Sequence, residues 1–145
     1  MSRMKALPDD VRQTCIQLVR GYDRRVREYY DRRREIIEGT PNREEGLPTS
    51  HNASRAGENK AMQLLGLEEL PETKRMRAVE QAKLQIGLDL PEVLRGKLVD
   101  AIILNCKSGR RYPYEYLDID GVARTDFYVR RTSFLVDIAK HLSLV

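Results

Sequence analysis

Apolar residues in the first part of the chain recur at helical spacing. Val11, Cys15, Leu18, Tyr22, Tyr29 and Ile36 follow one another at steps of four, three, four, seven and seven. This heptad-like stripe predicts one long helix over 8–38. Arg25 and Arg32 stand where an apolar residue would alternate, while Val26, Tyr30 and Ile37 widen the face. Pro8 followed by Asp9 and Asp10 suits a helix opening, because proline fits the first turn and carboxylates suit the positive end of the dipole. The polar face carries Arg20, Arg24, Arg27, Arg33 and Arg34 against Asp23, Glu28, Asp31 and Glu35. Pairing within the helix accounts for most of that mixture, and phosphate contact is the sharper reading of some of these arginines. A helix of this length either packs across a domain or projects as an arm.

Periodicity then stops. Gly, Pro, Asn, Ser and Thr dominate 39–57, which reads as a linker or loop containing a solvated His51. Three further helices follow in the pattern, over 58–65, 71–86 and 91–108. Pro71 with Glu72 opens the second of these, and Pro91 with Glu92 opens the third. Gly66, Gly87 and the Ser108-Gly109 pair close them in turn. This stretch reads as a scaffold.

The C-terminal stretch is the most informative. Pro113 can start a short helix over 113–119, and Gly121 supplies the residue that a tight turn between helices needs. Val122 follows as an apolar plug, and a last helix over 124–142 carries Phe127, Phe134, Ile138 and Leu142 on one stripe. Leu117, Val122 and Phe127 have the spacing of side chains that meet inside a helix-turn-helix. In that geometry the N-terminal end of the second helix enters the major groove of DNA. Arg124, Thr125 and Tyr128 are then expected to project from its first turns, with Arg131 one turn on. Arg110 and Arg111, just before the motif, are placed to meet the phosphate backbone.

The fold class expected is therefore all-α. Residues 1–38 form a long helix, 39–57 a linker, 58–109 a helical scaffold and 110–145 a helix-turn-helix region. Charge agrees with a polyanionic partner: the chain of 145 residues carries a net +4. Aromatic residues make up only 6% and Trp is absent, which argues against a large aromatic-lined cavity. Cys15 and Cys106 are far apart in apolar contexts, so they read as core thiols of a reducing compartment and not as metal ligands. No cofactor or metal is expected. No apolar run reaches the length of a membrane span, so a cytoplasmic protein without membrane contact is expected. Neither histidine has a catalytic companion, and no Gly-rich phosphate loop or serine elbow is present, so an enzyme is not expected.

At Gly121-Val122-Ala123-Arg124-Thr125-Asp126-Phe127-Tyr128-Val129-Arg130-Arg131 the chain resembles the C-terminal helix-turn-helix of the RinA/ArpU-type phage transcriptional regulators. That motif is itself similar to the promoter-reading region of sigma factors. Val19-Arg20-Gly21-Tyr22-Asp23-Arg24 and Glu58-Asn59-Lys60-Ala61 resemble earlier parts of the same family. The resemblance implies a phage or prophage regulator in a bacterial host cell, a late-gene activator that binds double-stranded DNA near promoters. Such motifs often carry serine where Ala123 stands, and alanine gives up a helix cap worth about 1 kcal/mol. Val129 and Thr132 interrupt what is usually a denser arginine run, and Asp126 can serve the helix dipole or pair with Arg130. Two other readings use the same residues. One is a DNA-packaging subunit of small-terminase type, or an architectural DNA-binding protein. The other is a protein-binding module acting on RNA polymerase. A homo-oligomer through the heptad-like N-terminal helix fits any of the three.

Overall fold

The computed structural model describes residues 7–39 and 50–145. Among these the chain is all-helical, with no strand. The helices are α1 (Asp9–Arg20), α2 (Tyr22–Glu38), α3 (Ser50–Glu69), α4 (Pro71–Leu84), α5 (Glu92–Ser108) and α6 (Arg124–His141). Two three-residue 3-10 turns, Gly109–Arg111 and Tyr114–Tyr116, lie between α5 and α6. The chain divides into two compact units, one of residues 1–22 with 77–145 and the other of residues 23–76.

The first unit holds the larger core. Cys15, Leu18 and Val19 of α1 pack with Val79 and Ala82 of α4, Leu98 and Ile102 of α5, and Phe127, Phe134 and Ile138 of α6. The first half of the heptad-like stripe is thus consumed inside the unit. The single helix expected over 8–38 is in fact two. Gly21 caps α1, its N–H bonding the carbonyl of Gln17 at 2.9 Å, and α2 starts at Tyr22. Glycine costs about 1 kcal/mol relative to alanine within a helix, and here it stops one. Both thiols are buried and free. Burial pushes Cys15 up to about 11, so it stays protonated and unreactive at neutral pH.

In the second unit α2 and α3 run antiparallel. Arg25 reaches Glu72, the Tyr29 hydroxyl donates to Glu68, and Lys60 Nζ donates to the carbonyl of Ile37 at 3.0 Å. Partners of rising number on α2 therefore have falling numbers beyond it. Tyr29, Leu67, Thr73 and Met76 are its buried residues. Much of the expected linker, 40–49, lies outside the described residues. Its last part, which includes His51, belongs to α3, so the helix expected over 58–65 begins earlier, at Ser50, and ends later, at Glu69.

Candidate nucleic-acid interface

The segment between α5 and α6 is fixed by polar contacts from below. Asn105, buried near the end of α5, donates from Nδ2 to the carbonyl of Tyr112 at 2.8 Å. That bond folds the chain back after Arg110 and Arg111, which stay exposed. Tyr114 then pins the approach to α6. Its hydroxyl donates to the carbonyl of Val122, and its ring lies 5.7 Å from that of Phe127. The short helix expected over 113–119 is absent, because only Tyr114–Tyr116 makes a 3-10 turn. Asp118, in the left-handed region at φ 52°, ends any continuation.

Gly121 does what the sequence asks of it. Its φ is +98°, and a Cβ there would stand 3.2 Å from Leu94 Cδ2. Ile119, Val122 and Phe127 are buried, and Leu117 packs against them at the edge of the core. α6 begins on that floor. Its N-cap is Ala123, which makes no side-chain capping bond, and Phe127 N–H closes the first turn on the carbonyl of Ala123 at 2.8 Å.

The six side chains singled out from the sequence separate into two groups. Arg110, Arg111, Arg124 and Thr125 are exposed, as expected. Tyr128 and Arg131 are not on the outward face. Tyr128 is half-buried, stacked edge-on against Phe127, with its hydroxyl accepting a long 3.4 Å bond from the N–H of Tyr114. Arg131 is half-buried against Cys106, and its Nε is buried without a hydrogen-bond partner. The reason lies in helical spacing: Phe127, Arg131, Phe134 and Ile138 stand at steps of four, three and four, so Arg131 occupies the core-facing stripe. A buried N–H with no acceptor costs about 1–3 kcal/mol. Arg131→Leu is therefore expected to match or exceed the wild-type midpoint in urea denaturation. A clear loss of stability would show that the guanidinium holds the fold together.

Ion pairing further sorts the arginines. Arg124 Nε is engaged by Glu115 at 2.9 Å, with the guanidinium 5.3 Å above the Tyr128 ring. Arg130 is held more firmly, bidentate to Asp89 at 2.8 and 2.7 Å and bonded to Asp126 at 3.0 Å. Those bonds lower the Asp89 carboxyl to about 2, so the pair remains charged through the neutral range. Arg20, Arg110, Arg111 and Arg131 have no carboxylate partner among the described residues. Two of them share a neighbour. Arg131 and Arg20 both lie close enough to Cys106 to favour its thiolate against burial, which still wins and raises the thiol. Arg110 and Arg111 follow four and five residues after Cys106, and no carboxylate occurs between Asp100 and Glu115. Sequence reading grouped Arg20 with the polar face of a long helix. Its approach to Cys106 comes from the packing of α1 on α5, which the sequence does not announce.

No family model, curated protein or solved structure matches the chain. What it does must therefore be argued from these side chains. Among the described residues no cluster of His, Cys, Asp or Glu is arranged to hold a metal ion, and no helix is long and apolar enough to cross a membrane. The arrangement offers an exposed helix start, preceded in the chain by two exposed arginines, Arg110 and Arg111, that have no carboxylate partner among the described residues. Such a surface can meet a row of phosphates while presenting one helix end to base edges. Part of the same charge also serves the carboxyl-terminal dipoles of α1 and α5.

Proposed function

We propose that this protein binds double-stranded DNA and regulates transcription, in the manner of the phage regulators it resembles, with the first turn of α6 directed into the major groove. The observation that carries the proposal is the exposed start of α6, with Arg124 and Thr125 on its first turn, preceded in the chain by Arg110 and Arg111, two exposed arginines without a carboxylate partner among the described residues. Internal pairing consumes the arginines elsewhere in the first unit that are most nearly buried, Arg130 above all. Unpaired cations of this kind supply salt-dependent affinity for phosphates. Base reading falls to Arg124 and Thr125. Arginine can bond guanine O6 and N7 together, and threonine can reach a base or a phosphate.

Arg124 reaches a base only after leaving Glu115. Both side chains are more than half exposed, at 64% and 54%, so the pair is worth a fraction of a kcal/mol in water. It acts as a mild brake. Glu115→Gln is expected to raise affinity for DNA about two- to fivefold at about 0.1 M salt. Fluorescence anisotropy on a labelled duplex reads this directly, and unchanged or weaker binding would remove Arg124 from the interface.

The wider test recovers fragments of sheared host and prophage DNA bound by the purified protein and sequences them. A few enriched loci that disappear with Arg124→Ala support a sequence-reading regulator. Uniform recovery that vanishes with salt favours an architectural or packaging role. No recovery at low salt sinks direct DNA binding and turns attention to RNA polymerase.

A further inference from the structure

The second unit contains a cleft of about 410 Å³ between α2 and the junction of α3 with α4, within the size range of small-ligand pockets. Its apolar surface comes from Tyr29, Leu67, Leu70 and Pro71, of which Tyr29 and Leu67 are buried. The polar lining is unusual in what it leaves unused. α4 starts at Pro71, which has no N–H, and Lys74 is the first residue whose N–H finds a backbone partner, the carbonyl of Leu70 at 3.0 Å. The N–H groups of Glu72 and Thr73 are left over at the positive end of the helix. Thr73 is only 3% exposed and lines the cleft, yet its hydroxyl has no partner among the described residues. The oxygen itself is not sealed from solvent, so it stands open to the cleft.

Arginine completes the lining. Arg25 and Arg75 both grip Glu72, Arg25 through Nε at 2.9 Å, and these bonds lower the Glu72 carboxyl so that it stays ionised. Glu28 is neutralised from outside by Arg24 at 2.7 Å. Arg32 lines the cleft with no carboxylate partner among the described residues. The surplus charge is therefore positive, and Glu72 already shows that a carboxylate fits between two of these guanidiniums.

We propose that this cleft binds a small amphipathic anion, with a carboxylate, phosphate or sulfonate head on an apolar body. The head is met by Arg32, the Thr73 hydroxyl and the free N–H groups that open α4. The body covers Tyr29 and Leu70. The site lies wholly within the second unit and is independent of DNA binding.

The test uses the full chain and two probes, anilinonaphthalene sulfonate, which has both parts, and inorganic phosphate, which has only the head. Fluorescence titration is expected to show saturable one-to-one binding of the sulfonate. Arg32→Gln, at an exposed position that leaves the fold intact, should weaken it about three- to tenfold, and Thr73→Val should do likewise. Glu72→Gln, which removes the resident carboxylate, should tighten it. Phosphate should bind at least about tenfold more weakly than the sulfonate by calorimetry, because it covers no apolar surface. Unsaturable binding, equal binding by wild type and Arg32→Gln, weaker binding by a folded Glu72→Gln variant, or phosphate binding as tightly as the sulfonate would each overturn the proposal. Circular dichroism establishes which variants are folded.

Discussion

Phe127→Ala is expected to destabilise the protein by about 3–5 kcal/mol, the range for truncating a fully buried aromatic ring. Phe127 is completely buried, and it touches two other rings, Tyr114 at 5.7 Å and Tyr128 at 5.1 Å. It therefore loses aromatic pairing as well as apolar burial, and leaves a cavity beneath a turn that Gly121 and Asp118 hold in left-handed backbone. Domains of this size are stable by about 5–15 kcal/mol in total, so the loss is a large share. Thermal unfolding followed by circular dichroism should fall by roughly 10–20 °C. A shift of only a few degrees would mean that the α6 start is not anchored by this ring, and the rigid presentation on which the DNA reading depends would go with it.

The same residue shows how far the sequence carried. Phe127, Phe134 and Ile138 announced the buried stripe of α6, and Pro71-Glu72 and Pro91-Glu92 announced the starts of α4 and α5, because proline and carboxylates act locally at a helix end. Gly121 was legible for a similar reason: a positive φ is a one-residue requirement. What was not legible depended on packing between distant segments. The stripe from Val11 to Ile36 reads as continuous because Tyr22 and Tyr29 keep the spacing across Gly21. Only the structure shows that α1 and α2 belong to different compact units. The amino-terminal part of α3 is polar and rich in small residues, so it offers no periodic signal to set against its loop-like composition.

Exposure of the candidate interface residues was half legible. Arg110, Arg111, Arg124 and Thr125 are exposed, as their sequence positions suggest. Tyr128 and Arg131 were assigned outward by analogy with a motif, whereas their own spacing from Phe127, Phe134 and Leu135 sets them toward the core. That signal lay in the sequence. The Arg124–Glu115 pair did not, since nothing in residues nine apart says that a turn will bring them together. The cleft in the second unit was equally hidden, because Arg25 and Glu72 meet across 47 positions of chain.

Arg110→Ala/Arg111→Ala is expected to produce the largest loss of DNA affinity. Each arginine that neutralises one phosphate releases condensed counterion, and contributes about 0.9 to the slope of log affinity against log salt. Removing two should flatten that slope by roughly 1.8 and weaken binding about tenfold or more at low salt. Stability should fall by at most about 1 kcal/mol, since both side chains are exposed and unpaired among the described residues, and interaction of exposed charges with the end of α5 lies at the low end of the helix-dipole range, about 0.3–0.5 kcal/mol each. Arg130, by contrast, is tied to Asp89 and Asp126, so Arg130→Ala should reduce stability while leaving the salt slope nearly intact. Opposite responses in the two variants would separate charge that faces a partner from charge that braces the fold. If the double variant kept the wild-type slope, Arg110 and Arg111 would serve the α5 dipole alone, and phosphate contacts would have to come from elsewhere on the chain.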